Sequence, residues 1–155
     1  MTLPFAYSVE REYDQPISRL WSAWTDAASL EQWYSPTSLS VVPGSVVSEA
    51  EVGGVWCVAV AVPDLGYNAC FFGQYTKVEP NSQLCHTMHY TQSEDEFAAR
   101  DFSTPHHDVV VDFETRGERT WVRFAQFGVL PEGQAAMAQA GMESYFDSLA
   151  AFLAR

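Results

Sequence analysis

The C-terminal stretch Pro131–Arg155, PEGQAAMAQAGMESYFDSLAAFLAR, decides the fold. Ala138, Met142, Tyr145, Phe146, Leu149, Phe152 and Leu153 recur at steps of three and four, so one stripe of a 3.6-residue helix is apolar. Gln139, Glu143, Asp147 and Ser148 fall on the other faces. Pro131 and Glu132 suit a first turn, where proline's missing N–H is not needed and a carboxylate opposes the positive end of the helix dipole. The spacing predicts a helix of about 20–24 residues, about 30–36 Å long. A stripe of that length needs a broad apolar partner, which the rest of the chain must supply.

The preceding sequence supplies a sheet. Tyr7, Val9, Arg11 and Tyr13 alternate with Ser8, Glu10 and Glu12, the period of a half-buried strand over Phe5–Asp14. After Pro16, the residues Ile17, Leu20, Trp21 and Trp24 follow at helical spacing. Thr25 and Asp26 then offer oxygens to cap a second short helix that carries Leu30 and Trp33 and stops at Tyr34-Ser35-Pro36. From Leu39 onward, turn signals at Pro43-Gly44, Gly53-Gly54, Asp64-Leu65-Gly66, Pro80-Asn81-Ser82 and Arg116-Gly117-Glu118 mark off about six further strands. Trp56, Val58, Val60 and Val62 share one face of their strand, and Leu84, His86, Met88 and Tyr90 share a face of theirs. Val109, Val111 and Phe113 are expected to pair with Val122, Phe124 and Gln126. Such alternation predicts an antiparallel sheet covered on one face only, with the final helix as the cover. The run 92–105, QSEDEFAARDFSTP, breaks the pattern and reads as a solvated loop, long enough to serve as a rim or flap.

The 155 residues, 47% apolar and without a linker-like run, fit a single domain over 1–155. Twenty acidic residues against eight basic ones give a net charge of −12, which repels phosphate backbones and anionic bilayers, so nucleic acid and membranes are not expected partners. The opening MTLPFAYS has no basic region followed by a long apolar run, and the expected location is cytoplasmic. Cys57, Cys70 and Cys85 are odd in number and sit in strand-like runs, the pattern of reduced buried thiols.

Five pieces of sequence carry a resemblance. Val9-x-Arg11-x-Tyr13-x-x-Pro16, Leu20-Trp21-x-Ala23-x-Thr25-Asp26 and Leu30-x-x-Trp33-Tyr34-x-Pro36 together form the first. Gly53-Gly54-x-Trp56 is the second, and Gly73-x-Tyr75-x-x-Val78-x-Pro80-x-x-x-Leu84 the third. Gly117-x-x-Thr120-x-Val122-x-Phe124 and the set Gly141-Met142, Phe146, Leu149, Leu153 complete it. In this order the pieces resemble the AHSA-type branch of the SRPBCC (START-like) superfamily over nearly the whole chain. The resemblance implies an α+β helix-grip fold: a curved seven-stranded antiparallel sheet, two short helices and one long C-terminal helix around a deep apolar cavity. It does not imply one function, because the superfamily includes carriers, cyclases and chaperone activators. The family usually places tryptophan at position 142 and an apolar residue at position 86; here Met142 adapts its shape to a neighbour, and His86 needs a hydrogen-bond partner.

The leading expectation is a module that binds a small hydrophobic or aromatic molecule, with Trp33, Trp56, Phe72, Tyr75, His86, Met88, Phe113, Phe124, Met142 and Phe146 near the cavity. The first alternative is a cyclase- or hydrolase-type enzyme with His86 as acid or base and Tyr75 as donor to a carbonyl oxygen. The second is a co-chaperone-like interaction module. No cofactor is expected. A metal is not expected either: His86 and His89, three apart on a strand, point to opposite faces, although His89 could meet His106 or His107 across strands. A homodimer is compatible with every one of these readings.

Overall fold

Alternation of large apolar with polar residues from Phe5 onward produces strands, and the chain closes them into one sheet. The computed structural model describes residues 2–155. Strand β1 (Phe5–Tyr13) is followed by helices α1 (Ile17–Thr25) and α2 (Ala27–Trp33). Next come β2 (Ser40–Val41), β3 (Val47–Ser48), β4 (Val55–Val62), β5 (Tyr67–Glu79) and β6 (Gln83–Thr91). The short helix α3 (Glu94–Ala99) leads into β7 (His107–Arg116), β8 (Arg119–Phe127) and the long α4 (Gln134–Leu153). Seven strands lie in the order β1-β8-β7-β6-β5-β4-β2, and β3 pairs with β4 off this path. Every pairing is antiparallel, so the sheet is the curled grip the sequence predicts. Val109, Val111 and Phe113 face Gln126, Phe124 and Val122 across β7 and β8, as their alternation requires.

The concave face buries Tyr7, Val9, Tyr13, Trp56, Val58, Val60, Tyr75, Leu84, Val109, Val111, Val122 and Phe124. Helix α4 lays Met142, Phe146, Leu149, Phe152 and Leu153 against this side of the protein. Polar ties set its position along β1. The Arg11 guanidinium donates to Glu143 Oε2 (2.8 Å) and Asp147 Oδ1 (2.7 Å), two carboxylates one helical turn apart. Tyr13 Oη donates to the Phe146 carbonyl (3.1 Å), and Gln15 Nε2 to the Leu153 carbonyl (3.1 Å). On the opposite flank, Ser148 Oγ donates to the Ser35 carbonyl (2.6 Å) and Ser144 Oγ accepts the Thr37 N–H (3.0 Å).

Three expectations are corrected. Helix α4 starts at Gln134 rather than at Pro131, because Gly133 (φ +83°) takes the left-handed conformation just before it, leaving Pro131 and Glu132 in the preceding turn. The run 92–105 is not a bare loop. Ser93 Oγ accepts the Glu96 N–H and caps α3, whose first turn holds Glu94, Asp95 and Glu96 at the positive end of the helix dipole. The sheet, finally, is not covered on one face only. Phe97 and Phe102 of this segment lie over Phe72 and His89 on the convex face, with Phe72 and His89 stacked at 4.7 Å and 8°. Cys57 and Cys70 are buried free thiols, whereas Cys85 is only partly covered.

Candidate functional site

The curl of the sheet and the N-terminal half of α4 do not meet, and a cavity of about 730 Å³ separates them. Its floor is Phe71, Met88, Tyr90 and Phe124 from the strands, and its roof is Ala138, Gly141, Met142 and Tyr145 from α4. Leu3, Pro105, Val129 and Leu130 come from the segments flanking the strands; Val129 is 77% exposed and forms part of the rim. Nothing lies within 4 Å of where a Cβ on Gly141 would be, so the helix presents open space to the cavity at that residue.

The polar groups in this wall are phenols, one amide and two imidazoles. Tyr7, Tyr34, Tyr90, Tyr145, Gln126, His106 and His107 line it, and no Asp, Glu, Lys or Arg does among the described residues. Tyr7 stands opposite Gln126 on the neighbouring strand, and its hydroxyl donates to Gln126 Oε1 at 2.8 Å. Gln126 Nε2 in turn donates to His107 Nδ1 at 2.8 Å, which leaves the Nε2 of a neutral His107 carrying the proton. The His107 ring lies against Gly128, where a Cβ would come within 2.3 Å of it. The ring of Tyr34 packs edge-on against Tyr145 at 5.0 Å and Trp56 at 5.7 Å. Tyr34 is 97% buried by its 3% exposure, yet its hydroxyl has no hydrogen-bond partner among the described residues; the Tyr145 hydroxyl has none either. Burial raises the pKa values of Tyr7, Tyr34 and Tyr145 well above the ordinary phenol range, with neighbouring tyrosines adding to the shift at Tyr34 and Tyr145. All three phenols remain protonated donors.

Of the residues the sequence pointed to, the structure brings Met88, Phe124 and Met142 together on the cavity. The other seven lie elsewhere. Trp33 turns back to donate its Nε1–H to the Ala23 carbonyl (2.8 Å) and packs edge-on against Trp24 at 4.8 Å. Phe113 is under α1 against Trp21 (5.3 Å), and Phe146 is a full turn too deep, wedged between Tyr13 and Trp24. Phe72 is on the convex face. His86 is sealed beside Trp56 and Tyr75, its Nδ1 donating to the Thr87 carbonyl at 2.7 Å, and burial lowers its pKa to about 4. The Tyr75 hydroxyl is bonded to Ser48 Oγ (2.6 Å), and burial pushes its pKa up to about 12. Neither group faces the cavity, so the proposed acid–base pair has no access to a molecule there. His89 does meet His106, ring centroids 5.4 Å apart, but no three His, Cys, Asp or Glu side chains converge on a metal-sized site among the described residues.

Tyr34, Tyr90, Tyr145, Gln126, His107 and Phe71 line the cavity without having been singled out for it. Part of the signal was legible. Phe71 shares period-two parity with Tyr75, whereas Phe72 does not, and Gln126 ends the inward row Val122, Phe124 with a polar group. Nothing local marks Tyr34, which lies at the end of α2 and reaches the cavity only through the tertiary fold.

The chain has wide structural kinship. The AHSA1 protein of Silicibacter pomeroyi is 22% identical, with 96% of each chain covered and a TM-score of 0.79. A protein of Chromobacterium violaceum is 18% identical, with 94% of each covered and a TM-score of 0.77. One from Staphylococcus epidermidis is 23% identical, covering 94% of this chain and 87% of that one at a TM-score of 0.75. At these identities the likeness shows a shared fold. No curated protein matches the chain. No helix among the described residues is long and apolar enough to cross a membrane. The sequence model for Activator of Hsp90 ATPase homolog 1-like protein matches residues 14–154, and with the helix-grip fold around it the chain belongs to that family.

Proposed function

We propose that this protein binds a small hydrophobic or aromatic molecule in the cavity between the sheet and α4. The observation that carries the reading is the cavity itself: about 730 Å³, walled by Phe71, Met88, Phe124, Met142 and a set of tyrosines. That volume lies within the range of small-molecule sites, where an apolar wall supplies burial and a few polar groups supply orientation. Met88 and Met142 give the wall some freedom to follow the occupant's shape. The three cysteines are unpaired, which fits a reducing compartment, and we place the protein in the cytoplasm as one ligand-binding domain.

A thermal-shift screen of apolar acids, phenols and flat aromatics, with native mass spectrometry of the hits, tests this reading. A ligand at one hundred times its Kd adds about 2.7 kcal/mol to the folded state, which raises Tm by about 5–10 °C for a chain of this size. No shift and no retained mass across the panel would sink it.

A further inference from the structure

The wall of the cavity has protons to give and no acidic side chain to receive them. Tyr34 and Tyr145 hold hydroxyls with no hydrogen-bond partner among the described residues, and Tyr34 is almost wholly buried. The Tyr7–Gln126–His107 chain, 2.8 Å at each step, runs its donors towards His107 and leaves the His107 Nε2–H at its outer end. These donors line a space with no carboxylate to accept from them. The Tyr34 and Tyr145 hydroxyl oxygens both open onto the cavity space rather than being enclosed by protein, so a hydrocarbon that displaces their solvent leaves them unpartnered, a cost that an occupant supplying acceptor oxygens avoids. An anionic acceptor is disfavoured, because no Lys or Arg lines the wall among the described residues and the protein carries a net charge of −12. A cationic amine would find phenol oxygens to accept from it but no carboxylate in the wall to balance its charge.

We infer that the ligand is an uncharged carbonyl compound, a ketone, quinone or ester on an apolar ring system, whose oxygen is held by the Tyr34 and Tyr145 hydroxyls. This rests on the binding reading above and narrows it to a chemical class. A carbonyl oxygen has two lone pairs and can take both phenols, and the edge-on packing of the two rings at 5.0 Å restricts how far either can swing away. Tyr34 and Tyr145 are thus specificity residues, while Met88, Phe124 and Met142 supply burial.

Matched probes separate the two layers of the inference. Isothermal titration of the wild-type protein with indane against 1-indanone, and with fluorene against 9-fluorenone, compares a hydrocarbon with its ketone at nearly constant shape; fluorene-9-carboxylate supplies the charged arm. The ketone is expected to bind about tenfold tighter than its hydrocarbon, the size of one or two neutral hydrogen bonds, and the carboxylate weakest. In the Tyr34→Phe/Tyr145→Phe double variant the ketone-to-hydrocarbon ratio is expected to fall towards one. Equal affinity of ketone and hydrocarbon in the wild type overturns the carbonyl inference and leaves apolar binding standing. Tightest binding of the carboxylate overturns neutrality, and no binding of any probe removes both layers. Infrared spectroscopy of 9-fluorenone bound to the wild-type protein decides the point even if the double variant fails to fold. A carbonyl stretch below its frequency in hexane supports the inference, and an unshifted band overturns it.

Discussion

The His86 imidazole lies nearly parallel to the Trp56 indole, ring centroids 4.0 Å apart at 26°, although the two residues belong to strands separated by β5. They meet because the residue opposite Trp56 is Gly73, which has no side chain to stand between them; a Cβ there would fall 1.9 Å from the Thr87 carbonyl oxygen. The stack encloses His86 and lowers its pKa from 6.5 to about 4. The unfolded chain therefore binds a proton that the folded chain refuses between those values, so stability is full above about pH 6.5 and falls as pH drops towards 4. His89, buried against Phe72, has its pKa lowered in the same direction. Urea denaturation at pH 7.5 and pH 4.5 is expected to show a loss on the order of 3 kcal/mol. The His86→Phe variant, which keeps a flat ring on Trp56, should lose most of this slope. An unchanged slope would show that His86 is not its source.

Gly128 is a second glycine whose missing side chain is structural. Its φ of +153° is unfavourable for other residues, and a Cβ would press into the His107 ring. Gly128→Ala is expected to cost about 1–3 kcal/mol and to push His107 away from Gln126. Denaturation midpoints give the first quantity, and the imidazole nitrogen resonances of His107 report the second.

Gly141 behaves oppositely. It sits inside α4 facing open space, so Gly141→Ala is expected to stabilise the protein by about 0.5–1 kcal/mol through helix propensity alone. Gly141→Leu should keep the fold and fill part of the cavity, weakening every ligand found in the thermal-shift screen. Undiminished binding by that variant would move the ligand away from α4.

Arg11 holds α4 by two partly exposed ion pairs, to Glu143 and Asp147. Arg11→Met keeps the aliphatic stem and removes the charge, and should cost about 1 kcal/mol at low ionic strength. The difference between variant and wild type should shrink in 1 M NaCl, where the Debye length falls to about 3 Å and partly exposed pairs are weakened. A cost independent of salt would assign the effect to packing.

Much of this architecture was legible locally. Alternation in Tyr7-Val9-Arg11-Tyr13 and in Val109-Val111-Phe113 produced β1 and β7, and the three-four spacing of Met142, Phe146, Leu149 and Leu153 produced α4. Helix α3 was not legible, since six residues with Phe97 as their large apolar anchor carry no periodic signal. Among the site residues, Met88, Phe124 and Met142 followed from facing direction. Phe146 did not, because the stripe of a helix says which side is apolar but not at what depth along it the sheet curls away.

The sequence by itself determined which face of each strand and helix is apolar, because side-chain direction repeats with backbone period and needs no distant partner. It also determined the family, through motifs spread from Val9 to Leu153. Only the tertiary structure decided which apolar residues touch one another and which border empty space. Trp33, Phe113 and Phe146 are as aromatic as Tyr34 and Tyr145, but they fill the places where sheet and helices close together. The two tyrosines stand where sheet and helix stay apart, and that separation is set by the curl of eight paired strands and by the ties of Arg11, Tyr13 and Ser148 that fix α4.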